Sequence, residues 1–187
     1  ELPVDFVSRI PDGIQLETQS LDREDYILHP ESGERLPATA VDALNKLRRD
    51  HAGNNNVQIV VSDGLNALSI TDDGHVKPFL ARVRKQLAGV GYQVAPENIV
   101  VRSGRVRAGY RIGETLFREL DGSRGILHII GERPGTGPHT FSIYIPAATG
   151  NTWGTSEAIH HNLPKVVSGL ATTALQPKHG ADGTVEI

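Results

Sequence analysis

The sequence predicts an α/β fold, a parallel sheet flanked by helices, and three observations carry that reading. Short β-branched runs recur at 57–61, 98–102 and 126–130. Between them, apolar residues return at three- and four-residue steps, as on the buried face of a helix. Strand–helix–strand alternation at this spacing builds βαβ units and a parallel sheet. Each run also stops in a glycine-bearing loop: Ser62-Asp63-Gly64-Leu65-Asn66, Ser103-Gly104-Arg105-Val106, and Gly131-Glu132-Arg133-Pro134-Gly135. Right-handed crossovers set loops 62–66, 103–107 and 131–137 along one rim. Ligands of open α/β sheets sit outside the carboxyl ends of the strands, so the three loops are expected to share one groove.

In chain order, residues 1–12 read as peripheral, because Pro3 and Pro11 interrupt any regular pattern and Asp12-Gly13 signals a turn. Ile14 to Leu28 alternates loosely and is expected to be an extended pair or an edge strand. Pro37 to Arg49 reads as a helix with Thr39 as N-cap and Val41, Leu44 and Leu47 as its stripe. Val57 to Val61 is the first strand. Thr71-Asp72-Asp73-Gly74 opens a helix through Gly89, with Val76, Phe79, Leu80, Val83 and Leu87 inward. Asn98 to Arg102 is the second strand, and a helix follows from about Tyr110 to Leu120. The third strand, 126–130, lacks polar alternation except for His128, as expected where both sheet faces are covered. Phe141 to Ile145 alternates as a fourth strand with one exposed face. Trp153 to Asn162 is irregular, Pro164 starts a last helix carrying Val166, Val167 and Leu170, and 176–187 is a loose tail. The expected organisation is an amino-terminal extension and edge segment at 1–36, an α/β domain at 37–175 and a carboxy-terminal tail at 176–187.

Composition narrows the function. The 187 residues suit one domain with a real core. A formal net charge of −3 argues against a nucleic-acid binder held by phosphate contacts. No apolar run approaches the roughly 20 residues needed to cross a bilayer, and no signal peptide is visible. The absence of Cys excludes disulfides, thiolate nucleophiles and Cys-ligated metals. Residue 1 is Glu and no Met occurs, so a processed or trimmed piece, or a chain missing a longer amino-terminal part, is expected.

Several chemistries find no motif. Gly104-Arg-Val-Arg-Ala-Gly109 lacks the dinucleotide fingerprint's spacing, and no Gly-Lys-Ser/Thr of a P-loop occurs. There is no Gly-X-Ser-X-Gly elbow, and Ser62 would need a base from elsewhere. His160 and His161 are adjacent and point apart if extended, and His128 reads as a satisfied core side chain, so no metal site is expected. Asp63 has two readings, a turn with an internal Asx hydrogen bond or a contact to a ligand hydroxyl or amide. Glu132 has two as well: an ion pair with Arg133 or Arg105 at the rim, or an acceptor for an amide or hydroxyl laid across the sheet.

Three segments, in order and spacing, resemble the small subunit of ethanolamine ammonia-lyase: Val57 to Leu65, Val101 to Val106 followed by Ile112-Gly113-Glu114, and Ile129 to Gly135. The resemblance covers roughly residues 15–146, and Gly-Glu-Arg-Pro-Gly is its most specific piece. It implies a Rossmann-like domain that docks on a large subunit as a hetero-oligomer, in the cytoplasm or a bacterial microcompartment. It implies adenosylcobalamin held between the two subunits, with the cofactor rather than the protein supplying the hard chemistry of converting ethanolamine to acetaldehyde and ammonia. No catalytic residue proper is then expected on this chain. The resemblance makes Val106 and Glu132 cobalamin contacts. The family places a further contact at a Cys in Cys-Ile-Ser-Asn; here Ile159-His-His-Asn162 takes that place and keeps only the Asn. The stretch from Trp153 onward departs from the family, and the family's amino-terminal assembly segment is absent from the sequence. The expected cofactor-binding set is therefore Asp63, Val106, Glu132 and Ile159.

Two other classes compete. One is a non-catalytic Rossmann-like binding module that kept the fold and lost the coenzyme. The other is a stand-alone enzyme using Asp63 or Glu132 as acid or base, which requires a closed pocket with a perturbed carboxylate.

Overall fold

β2 (Val57–Ser62) is buried along its whole length because the sheet is covered on both faces. It lies between β3 (Val94–Arg102) and β4 (Ser123–Gly131) and pairs with both in parallel. β1 (Gly13–Glu17) adds a parallel edge beyond β3. The computed structural model describes residues 1–51, 53–132, 139–153 and 164–187.

Beyond β4 the direction reverses. β5 (Phe141–Ile145) pairs antiparallel with β4, and β7 (Lys165–Leu170) pairs antiparallel with β5. The short β6 (Ala147–Thr149) also pairs antiparallel with β4. The path order is β1-β3-β2-β4-β5-β7. The expected all-parallel sheet is thus corrected to a mixed one. A parallel return needs a crossover of about a dozen residues or more, and 132–140 is too short to supply one.

Helices cover both faces. On one, α4 (Val76–Gly89) packs Phe79, Leu80 and Val83 against Ile59, Val61 and Ile129. On the other, α2 (Ala38–His51) and α5 (Val106–Phe117) bring Leu44, Ile112 and Leu116 against Val60, Ile99 and Ile126. Val60 faces one layer while Ile59 and Val61 face the other, the two-residue period of a strand. Trp153, in the short α6 (Gly150–Trp153), is fully buried in the second layer. It lies against Gly113, where a Cβ would come within 2.3 Å of the indole.

Further expectations fail, among them the extended reading of 14–28, of which only 13–17 is strand and 23–28 is helix. Residues 1–12 are not peripheral: Leu2, Phe6 and Ile10 enter the α4-side core. Pro164 starts no helix, because 165–170 is β7 and its β-branched Val166 and Val167 pair with Tyr144 and Ile143. The tail is not loose, since Pro177–Glu186 forms α7 with Pro177 in its first turn. The carboxylate of Asp182 receives Arg82 Nε at 2.7 Å and Gln86 from α4, which docks α7 there.

Between β1 and α2, α1 (Arg23–Leu28) begins under the side-chain cap of Asp22, which accepts from the Asp25 N–H at 2.8 Å. A single turn, α3 (Leu68–Thr71), joins the β2 loop to α4.

Candidate functional site

The rim is built of main chain. After β2, Gly64 turns left-handed at φ +55°, and the Leu65 N–H donates to the Gly131 carbonyl at 3.1 Å. A Cβ on Gly64 would meet the Gly131 oxygen at 2.2 Å; one on Gly131 would meet the Asn66 oxygen at 2.2 Å. The two loops touch so closely that neither position has room for a side chain.

Asp63 ties in the third loop. Its carboxylate, fully buried, accepts the Gly104 N–H at 3.2 Å and the Leu2 N–H at 3.3 Å. Burial raises its pKa, and hydrogen bonds from the backbone of Ser103, Leu2 and Gly104 pull the other way. Ser103 sits left-handed at φ +53°, so the carboxylate also steadies a turn that side chains rarely adopt. Asp63 matches neither reading the sequence allowed: its carboxylate makes no local Asx bond but ties distant backbone, and it does not line the groove.

α5 starts directly after this loop, at Val106. Beneath it, Ser62 Oγ lies 2.7 Å from His128 Nε2, and His128 Nδ1 lies 3.3 Å from the Val106 carbonyl. His128 is 1% exposed and Ser62 not at all. Burial drives the imidazole pKa down to about 4, against the raising effect of the Val106 carbonyl. The sequence showed no base for Ser62, and the fold brings one 66 positions away. The pair is no nucleophile and base: a Cβ on Gly104 would come within 2.5 Å of Ser62 Oγ, leaving no room for a substrate.

Above the rim lies an open groove of about 800 Å³. Val106, Tyr110, Ile130, Glu132 and Tyr144 face it, and Tyr26 and Arg105 close one end. Val106 and Glu132, expected to act together, therefore share one wall system. The Tyr144 phenol is raised first by burial and then by the Glu132 carboxylate to which it hydrogen-bonds. Tyr110 is raised by burial and by the nearby Tyr144. At the end wall, Tyr26 is stacked between two guanidiniums, Arg23 at 4.7 Å and Arg105 at 4.5 Å from its ring centre. Burial pushes its phenol up to about 12. Beside this wall, α1 and its approach leave Leu21, Ile27 and Leu28 exposed at 89, 53 and 62%.

Ile159, with His160, His161 and Asn162, and the loop residues Arg133 to Gly135 lie outside the described residues. Tyr26, Tyr110 and Tyr144 were missed from sequence. Tyr144 alone carried a signal, its exposed-face position in an alternating strand. The perturbed carboxylate a stand-alone enzyme requires is Asp63, but it is sealed away from a groove that is open rather than closed. Among the described residues, no three His, Asp or Glu side chains gather to hold a metal ion, and no helix is long and apolar enough to cross a membrane.

Comparison with known proteins adds a direct result. A family model described as ethanolamine ammonia-lyase light chain matches residues 4–187. An ethanolamine ammonia-lyase small subunit of Pseudomonas putida is 35% identical over 138 residues, covering 73% of this chain and 48% of that protein. Its counterpart in Pseudomonas fluorescens is 33% identical over 144 residues, 76% of this chain and 50% of the other. One from Azotobacter vinelandii is 34% identical over 138 residues, 73% and 48% respectively. The chain spans about half the length of the curated relatives it matches.

Proposed function

This chain belongs to the ethanolamine ammonia-lyase light-chain family, and from that premise we propose that it is the small subunit of an adenosylcobalamin-dependent ethanolamine ammonia-lyase. Its Rossmann-like half holds one side of the corrinoid, and a large subunit covers the other. The observation that carries this reading is the meeting of three glycine-bearing loops on one open groove, with Val106 and Glu132 both facing it. An open groove suits a ligand too large for one chain to enclose. The residues present fit half of such a site. A corrinoid has an apolar macrocycle edged with amide arms; Val106 and Ile130 offer apolar surface, and the Glu132 carboxylate, steadied by Tyr144, offers an acceptor to an amide N–H. When bound, the cofactor would supply the radical that begins conversion of ethanolamine to acetaldehyde and ammonia. This chain's own work is to bind, orient and exclude water. Exposed Leu21, Ile27 and Leu28, on α1 and its approach, are the kind of apolar surface a subunit interface buries. The same reading sets the protein in the cytoplasm or in a bacterial microcompartment.

Co-expression with a large subunit, followed by adenosylcobalamin loading and an absorbance spectrum, tests this. A co-purifying complex that retains the corrinoid is expected. Glu132→Ala should weaken retention roughly 10- to 100-fold, the worth of one charge-assisted hydrogen bond, with the melting temperature held. An unchanged affinity removes Glu132 from the site. No partner and no bound corrinoid would leave the second reading, a non-catalytic binding module, which Ile159 in place of the family's Cys favours.

A further inference from the structure

We propose that His128 is a positioning residue of the groove: with its tautomer set by the Val106 carbonyl and its far nitrogen held by Ser62, the imidazole seats the first turn of α5. The consequence for ligand capture rests on the corrinoid reading above; the seating itself does not.

The register explains the arrangement. β2 and β4 pair Val60 with His128, so Ser62 stands one same-face step further along, beside the imidazole. That face is the one α5 covers, together with Val60 and Ile126. α5 sits directly on the ring, since a Cβ on Gly109 would lie 2.5 Å from Nδ1. A carbonyl can only accept, so Nδ1 carries the proton toward Val106, 3.3 Å away. Nε2 is then bare and accepts the Ser62 hydroxyl at 2.7 Å. Burial keeps the ring neutral near pH 7, the only state that has one donor and one acceptor. Val106 and Tyr110, one helical turn apart, both line the groove. A carbonyl held at the start of α5 therefore sets the position of both.

Two substitutions separate the ring's two bonds. In His128→Asn the amide nitrogen stands near Nδ1, keeping the Val106 contact and losing Ser62. In His128→Gln the amide reaches toward Nε2, keeping Ser62 and losing Val106. Both leave one buried partner unsatisfied, so both should melt lower by a similar amount. In the complex with the large subunit, two readouts follow. Hydrogen exchange of peptides spanning 104–112 should speed up in His128→Gln and stay near wild type in His128→Asn. The dissociation constant for adenosylcobalamin should rise about tenfold in the Gln variant and less than about threefold in the Asn variant. Equal exchange in the two variants, or equal affinity, overturns the proposal. If the wild-type complex takes up no corrinoid, the cofactor reading falls, and the exchange pattern alone decides whether His128 seats α5.

Discussion

Replacing Gly131 with Ala probes the seam on which the rim depends. The new Cβ would stand 2.2 Å from the Asn66 oxygen, 2.4 Å from the Asp63 oxygen and 2.7 Å from Ser69 Oγ. Unstrained contact needs roughly 3.5 Å, so loop and strand must part by about 1 Å. Two of the three obstructing atoms are backbone and cannot rotate away. Such overpacking costs about 1–3 kcal/mol. The parting also breaks the bond from the Leu65 N–H to the Gly131 carbonyl, worth about 1 kcal/mol. Together these come to about 3 kcal/mol, which in a domain of this size lowers the melting temperature by on the order of 10 °C. Trp153, the sole Trp and fully buried, reports unfolding by its fluorescence in a thermal or urea titration. Gly183→Ala is the control. That glycine lies inside α7 with nothing within 4 Å of a new Cβ, so Ala should stabilise by about 0.5–1 kcal/mol. A Gly131→Ala protein melting within about 2 °C of wild type would refute the reasoning.

Two further outcomes concern pH. The folded pKa of His128, about 4, lies below its unfolded value near 6.5. Its stabilising contribution is thus complete above pH 6.5 and is lost as pH falls through the folded pKa, on the order of 3 kcal/mol in all. Urea titrations should show the gap between wild type and His128→Asn closing over that window; a constant gap rules it out. Asp63 runs the other way, its folded pKa being raised by burial. Its contribution is complete below the unfolded carboxyl value and falls as pH rises through the folded one. Asp63→Asn should therefore lose least against wild type at high pH. Asp63→Ala, which leaves buried backbone N–H groups without an acceptor, should cost about 3 kcal/mol by chemical denaturation; a loss under about 1 kcal/mol would contradict the bonding described.

The parallel half of the sheet was legible because its signals are local. β2, β3 and β4 are β-branched runs, and α4 repeats Phe79, Leu80 and Val83 at helical steps. The convergence of their loops followed from crossover handedness. What escaped depends on distant partners. Nothing near Ser62 announces His128, which pairing of β2 with β4 delivers. The reversal at β5 shows only in the shortness of 132–140. Pro164 mimicked a helix start, yet Val166 and Val167 found β5 as a partner. α7 carries two internal glycines and no apolar stripe; it is helical because Ala181 and Thr184 are buried and Asp182 is gripped by α4. Prolines disguised the amino-terminal residues, whose Leu2, Phe6 and Ile10 recur at four-residue steps.

Arg23 spans two bodies with one planar fork, giving its two terminal nitrogens to successive carbonyls, Gly64 at 3.0 Å and Leu65 at 2.7 Å. That fork ties α1 to the β2 loop. A Lys at 23, a point charge in place of a fork, would let the two come apart.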